Sequence, residues 1–298
     1  MTNSCLMNSI KKIRSKKVPG APEICFVLLC LAFAPVNAIV IRHDTGYTRY
    51  LASEADYPGV FPLAQQGRRK VCVATVVAPQ WALTAAHCAS ETGLQATLTE
   101  GRPYAVQIAR QTHYIDALHL HPGWTGELSE HLHPRQVDLA LLRLSAPVSA
   151  DVVLELYRGE DELRQAMTFL GWGYTGIGTT GMSVDDGQLR FAQNTVVRAD
   201  ERLRFEFNDP RVNNSEVEEF EGIPALGDSG GPALLTQNET MWLAGIAVGE
   251  LTGEAGSPGP GRYGAVVVYE RVSQHLAWID AVIKDAHKGE GVVSLSAN

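Results

Sequence analysis

Cysteine is scarce in this chain and unevenly placed. Five occur in 298 residues, and Cys5, Cys25 and Cys30 crowd the N-terminal end. A short scaffold stapled by many disulfides is therefore excluded. Charge is thin as well. Asp, Glu, Lys and Arg together make up 19%, below the usual quarter, which argues against a disordered chain or a coiled coil. The sequence has no self-similarity at a period of roughly 20 to 50 residues, so a solenoid is excluded too. Long apolar runs are absent: the stretch Ile24 to Ala34 falls well short of the roughly 20 residues a membrane-spanning helix needs.

That short run has a different context. Lys11, Lys12, Arg14, Lys16 and Lys17 precede it, and Val36-Asn37-Ala38 follows it as a small-residue cleavage pattern. Residues 1–38 are thus expected to be a secretory signal peptide rather than an anchor, giving a secreted or periplasmic protein cut near Ala38-Ile39. Cleavage removes five of the 25 basic residues and one of the 33 acidic ones, leaving a net charge of about −12. Such a balance argues against nucleic acid or an anionic membrane as a partner of the mature form. It also leaves only Cys72 and Cys88, an even pair in an oxidising compartment, which reads as one disulfide.

The remaining chain is 45% hydrophobic by overall composition and long enough to bury a large core. Its apolar segments are short. Val71–Val77, Trp81–Ala86, Ala96–Thr99, Tyr104–Ile108 and Leu139–Leu144 read as strands in the first half. Met167–Gly171, Leu189–Val197, Leu203–Phe207, Ala233–Leu235, Met241–Val248 and Gly264–Val268 follow in the second. Tyr57 to Pro62 reads as loop, and Tyr174 to Gly187 as a mobile Gly/Thr-rich loop. Many short strands without alternating helices predict an all-β sandwich or barrel. One helix is expected, near the C-terminus over about 273–286, from the spacing of Leu276, Ile279, Val282 and Ile283, with Ser273 as its N-cap. Residues 287–298 are expected to be a flexible tail.

Gly227-Asp228-Ser229-Gly230-Gly231-Pro232 is where chemistry enters. Flanking glycines can hold a serine hydroxyl in the open and aim backbone N–H groups at a developing oxyanion. Alone, the string is equally a Gly-rich surface turn. A serine nucleophile needs a histidine base, and that base needs a carboxylate to orient it. His87 ends an apolar strand beside Cys88, and Asp138 leads the apolar run Leu139 to Leu144. A buried aspartate requires a donor, and an imidazole N–H is a suitable one.

LTAAHC around His87, DLALLRL from Asp138 and GDSGGPAL around Ser229 resemble, in that order, the three signatures of the chymotrypsin-like (trypsin-fold, S1) serine proteases. Further likeness lies in Gly171-Trp172-Gly173, in His121-Pro122, and in Val268-Tyr269-Glu270-Arg271-Val272-Ser273, which resembles the family's VYTRVS. The order of the residues disfavours an α/β-hydrolase, in which the histidine follows the serine. The resemblance spans roughly 39–283 and implies two antiparallel six-stranded β-barrels, over about 39–150 and 151–271, within a protease domain ending near 286. It implies Ser229 as nucleophile, His87 as base and Asp138 as its orienting carboxylate, with the Gly227 and Ser229 N–H groups as oxyanion hole. Asp228 would pair with a new α-amino group, which a cut after Ala38 would place on Ile39.

Counting along the family pattern puts Ile223 at the base of the primary specificity pocket and Val267 on its wall. Val248 stands where a serine commonly supports the buried aspartate, and Gly249-Glu250 replaces a tryptophan-glycine that pairs with substrate backbone. These residues predict a pocket for small or medium apolar P1 side chains, because a buried cation facing isoleucine would be unpaired. The expected partners are protein or peptide substrates and proteinaceous inhibitors, without any cofactor. His119/His121 and His131/His133 have the alternate spacing of metal ligands, yet the absence of a nearby carboxylate or cysteine set favours a solvated loop and strand edge before Asp138, spanning His113 to His133, over a zinc site. Ser215 to Glu221 reads as a solvated acidic loop. The alternative is a binding protein on the same fold with impaired catalysis, for which the altered Val248-Gly249-Glu250 segment is the only support.

Overall fold

Two sheets of short strands dominate the computed structural model, which describes residues 39–127, 135–212, 217–251 and 258–290, with backbone alone for 286–290. The expected signal peptide, the His131/His133 pair, residues 215–216 of the acidic stretch and residues 291–298 of the expected tail lie outside the described residues. The chain begins with β1 (Ile39–Ile41) and then lays down β2 (Val60–Gln66), β3 (Arg69–Ala78) and β4 (Trp81–Thr84). Two short helices follow, α1 (Cys88–Glu91) and α2 (Leu94–Thr99), before β5 (Tyr104–Ile108), β6 (Gln111–Leu120) and β7 (Ala140–Leu144). The strands β2 to β7 form an antiparallel six-stranded sheet in the order β2-β3-β4-β7-β6-β5. It is curled so that β2 approaches β5, and among the described residues no ladder joins them. This barrel is nearly closed.

The second half supplies β8 (Glu155–Leu156), β9 (Ala166–Gly171), β10 (Thr175–Ile177), β11 (Gly181–Val184), β12 (Arg190–Ala199), β13 (Arg202–Glu206), β14 (Gly222–Ile223), β15 (Pro232–Gln237), β16 (Thr240–Glu250) and β17 (Val266–Arg271). Six of them run antiparallel as β15-β9-β12-β13-β17-β16, and the pairing of β15 with β16 closes the ring. The little strand β8 joins β16 in parallel outside that ring. β1, β10, β11 and β14 make a separate small sheet, in which β1 runs parallel to β10 and antiparallel to β14. The fold is all-β with two barrels and a C-terminal helix, α3 (Leu276–Glu290).

Local chemistry explains these strands. β12 alternates buried and half-buried residues, with Arg190, Ala192, Asn194 and Val196 turned inward, as a strand with one core face should. β3 is buried almost throughout, which suits its run of Val and Ala. The two-residue turns Ala109-Arg110 and Asn238-Glu239 both have positive φ, the conformation that matches the twist of a tight hairpin.

Several sequence expectations need correction. Ala96–Thr99 lies in α2, not in a strand. Its threonines Thr97 and Thr99 bond back to the carbonyls of Gly93 and Gln95, a pattern that fits a helix turn. Pro62, taken as loop punctuation, sits within β2. Among the described residues this strand pairs only with β3, and Val73 opposite Pro62 turns its N–H away to Ser229, so the missing proline N–H removes no ladder bond. The stretch from His113 to His119 is in β6, and the supposed mobile loop Tyr174–Gly187 contains β10 and β11. Helix α3 starts at Leu276, after a 3-10 turn over Val272–Gln274, and continues through 287–290. Ser273 does not cap it, because its hydroxyl donates to Glu162. Glu221, read as solvated, is fully buried and accepts from the Asn208 and Glu218 N–H groups.

Candidate active site

β4 carries its chain through Ala85 and Ala86 to His87, which immediately precedes α1. The bond between Cys72, in β3, and Cys88 ties that strand end to its neighbour, with the two Cα atoms 5.8 Å apart. Asp138 arrives from the opposite side, two residues before β7, and is fully buried. Its two carboxylate oxygens serve one residue: Oδ1 accepts the His87 main-chain N–H at 2.9 Å, and Oδ2 lies 2.6 Å from Nδ1. A carboxylate only accepts, so Nδ1 carries the proton and Nε2 is left with its lone pair. Nε2 stands 3.8 Å from Cys88 Sγ. Burial opposes the charged imidazolium, but the hydrogen bond and charge of Asp138, with Glu91 adding to them, leave the His87 pKa above its ordinary value.

Ser229 reaches the same place from the second barrel, in the loop between β14 and β15. The backbone of that loop is clamped from both sides. Val73 N–H in β3 donates to the Ser229 carbonyl at 2.8 Å, while the Gly230 N–H donates to the Ala247 carbonyl of β16 at 2.8 Å. Gly227 and Gly230 have φ of 100° and 76°, and a Cβ on Gly230 would overlap the Thr84 hydroxyl and the Val73 carbonyl. Among the described residues, the N–H groups of Gly227 and Ser229 have no acceptor within the protein. His87, Gly227 and Ser229 line one cleft of about 250 Å³, together with Ala225, Val248 and Glu250. No hydrogen bond joins Ser229 Oγ to His87 Nε2 among the described residues. Such bonds are often long in an empty site and tighten with substrate.

The remaining sequence-derived residues divide. Asp228 is buried beneath the loop, where Oδ1 accepts the Gly173 N–H at 2.6 Å and Oδ2 the Ala225 N–H at 2.9 Å. Gly171 explains the rest of its motif, since a Cβ there would overlap Asp228 Oδ1. With two amide donors against complete burial, the Asp228 carboxyl is pushed up to about 7. Ile39 is buried and pairs with Thr175, while Val40 pairs with Ile223. Among the described residues Ile39 makes no hydrogen bond to Asp228.

Ile223 and Val267 do not line the cleft. Both belong to the buried core of the second barrel, Ile223 because β14 is sandwiched against β1, and Val267 because alternate residues of β17 face inward. Of the four pocket residues read from the sequence, Val248 and Glu250 are at the cleft wall. Glu250 accepts the Gly261 N–H through Oε2 at 2.9 Å, and burial raises its pKa. Arg69, Glu91, Met182 and Leu226 also line the cleft and were not picked out from the sequence. Nor was Glu270, whose Oε1 accepts the Asp138 main-chain N–H; its signal was the glutamate standing in place of threonine in a VYTRVS-like string.

Among the described residues, Cys72, His87 and Cys88 are the group whose potential metal-ligating atoms converge, within 4.8 Å of one another. The sulfurs are spent in the disulfide. His119 packs edge-on against Trp81, and His121 against His275 and Trp278, with its Nδ1 accepting the Gly123 N–H.

A double β-barrel with a histidine–aspartate pair and a glycine-flanked serine across one cleft defines a serine peptidase of the trypsin-like class. The Trypsin family model matches residues 52–279, most of the chain, and the chain belongs to that family. The match starts after β1, so the segment Ile39–Ile41 lies outside it. Members of this class are hydrolases that act on protein or peptide substrates.

Proposed function

We propose that the mature chain is a secreted serine endopeptidase that cleaves peptide bonds through an acyl-enzyme. The observation that carries this reading is the 2.6 Å contact between His87 Nδ1 and Asp138 Oδ2 at a cleft shared with Ser229. His87 takes the Ser229 proton on Nε2 as the hydroxyl attacks the scissile carbonyl, and returns it to the leaving amine. Asp138 fixes the tautomer and stabilises the imidazolium. The Gly227 and Ser229 N–H groups receive the oxyanion; a donor of this kind is worth about 3 kcal/mol of barrier. Water then repeats the sequence on the ester.

Removal of residues 1–38 supplies the activating terminus, in this reading. The new ammonium of Ile39 pairs with Asp228, already buried below the oxyanion loop. For P1 the reading is a small or medium apolar side chain. The cleft beside Ser229 is walled by Ala225, Leu226, Ala247 and Val248, and these residues now carry that argument in place of Ile223 and Val267. The altered Val248-Gly249-Glu250 segment keeps a catalytically impaired binding protein as the second reading.

One preparation separates the two. The mature protein and its Ser229→Ala variant are treated with a fluorophosphonate probe and then profiled on a peptide library. The endopeptidase reading expects labelling of wild type alone and cleavage after Ala, Val or Leu. Equal absence of labelling in both folded proteins supports the binding protein, and a strong preference for Arg or Lys overturns the P1 assignment.

A further inference from the structure

Behind the His87–Asp138 pair lies a buried ionic cluster for which the reaction above has no use. Its centre is Glu270 on β17, 1% exposed. Oε1 accepts the Asp138 main-chain N–H at 2.9 Å and the Arg202 Nε–H at 3.0 Å. Arg202, buried on β13, donates in addition to the Gln136 carbonyl. Oε2 of Glu270 stands 3.6 Å from His275 Nε2, at the approach to α3, and the His275 ring meets that of His121 at 5.0 Å. One carboxylate therefore ties the segment 136–138 to β13, with the His275 ring beside it.

A buried carboxylate is costly unless paired, and it then requires its partner to stay. A threonine, which the VYTRVS pattern carries at this place, needs no such partner. The chain departs from the pattern a second time on the adjoining strand β16, where Val248 stands in place of the serine that commonly supports the aspartate. In the family pattern that serine supports the side chain of the aspartate, whereas here the carboxylate at 270 bonds its backbone.

We infer that Glu270 is a positioning residue for Asp138, fixing it through its main-chain N–H in place of the missing serine hydroxyl. The His87 backbone and ring both hang on the two oxygens of Asp138, so a shift of that backbone moves the imidazole directly. The groups facing Glu270 are Arg202, His275 and the Asp138–His87 couple, with His121 behind His275. Arg202 balances Glu270, which leaves the unbalanced negative charge on Asp138, where imidazolium charge develops. Loss of Glu270 exposes that couple to the Arg202 cation and lowers the His87 pKa.

The kinetic arm of the test rests on the serine-peptidase reading, and the titration arm does not. Glu270→Thr, Glu270→Gln and the double variant Glu270→Thr/Val248→Ser are made in the mature chain. kcat and KM are measured on a peptide ester, and the His87 ring is titrated by NMR. Glu270→Thr is expected to lower kcat roughly ten- to a hundredfold, the scale of a small misplacement, with KM within about twofold and the His87 pKa lowered. Val248→Ser in that background is expected to recover most of the loss, a coupling that independent sites do not show. Should Glu270→Thr fail to fold, Glu270→Met, close in length and without an acceptor oxygen, takes its place, whereas Glu270→Gln keeps an oxygen for the Asp138 N–H and is expected to hold kcat near wild type while its His87 pKa falls. Unchanged kcat and unchanged His87 titration overturn the inference, as does a loss that Val248→Ser leaves untouched. If wild type cleaves nothing while Glu270→Thr moves the His87 titration further than Glu270→Gln does, the positioning role stands and the peptidase reading falls.

Discussion

His87 shows how much one side chain owes to its immediate neighbours. Burial alone would depress its pKa. The carboxylate of Asp138, held at 2.6 Å, reverses the sign and raises it above 6.5. A general base must be neutral to accept a proton, so kcat/KM should rise with pH and reach half its maximum above 6.5, the ordinary histidine value. Asp138→Asn keeps the shape, removes the charge and permits the wrong tautomer. We expect it to lower kcat by roughly 10⁴-fold and to shift the acid limb to lower pH, both read from one set of pH–rate profiles. The residues of this couple were legible in the sequence because each sits in a distinctive string. Glu270 was legible only as a departure from such a string. The fact that it reaches the Asp138 backbone depends on β17 passing beneath the segment 136–138, which no local pattern encodes.

Strand ends carry the reacting groups, and the elements that fix those ends decide how well they are held. Cys72 in β3 and Cys88 at the start of α1 close a loop with a sequence separation of 16 residues, and His87 lies inside it. Replacing both cysteines by Ala is expected to reduce unfolding free energy by about 3 kcal/mol, the chain-entropy value for a loop of this size. Urea denaturation of the Ser229→Ala background, which prevents self-digestion, measures it. Because His87 remains tied through Asp138, kcat should fall less than tenfold. Most strands were legible from apolar runs and their turns. β2 was hidden by Pro62, whose place on an edge is a property of the sheet. β10 and β11 were hidden by glycine and threonine, since the short pairing of β10 with β1, on which β11 builds, is a tertiary event. Ala96–Thr99 is the reverse case: an apparent strand of four residues has no alternation to distinguish it from a helix turn.

At the scale of the whole molecule, the two barrels meet where the Ser229 carbonyl accepts from β3, and the small sheet containing β1 lies alongside the Asp228 loop. Asp228 makes the uncut chain sensitive to pH. Its pKa is raised by burial from 3.8 to about 7, so the folded form holds the proton more tightly than the unfolded one. The stability of the uncut chain should therefore fall as pH rises from about 4 to 7 and then level off. In uncut Ser229→Ala protein, Asp228→Asn is expected to raise Tm at pH 8, relative to its effect at pH 4, by roughly several degrees. In the cut form, the same exchange should lower Tm at pH 8, because the Ile39 ammonium loses its partner. N-terminal sequencing of the active species should return Ile39, and a different first residue refutes the proposed activation.

The sequence by itself determined the all-β class, the strings that hold His87, Asp138 and Ser229, and the pairing of Cys72 with Cys88. These are properties of local pattern or of simple counting, and short-range physics suffices for them. Tertiary structure alone decided which residues face the cleft. Ile223 and Val267 turned into a core, Val248 and Glu250 onto the wall, and Glu270 towards the Asp138 backbone. The reason is geometric: a residue's neighbours along the chain set its strand, but only the pairing, curl and closure of the sheets set the direction of its side chain.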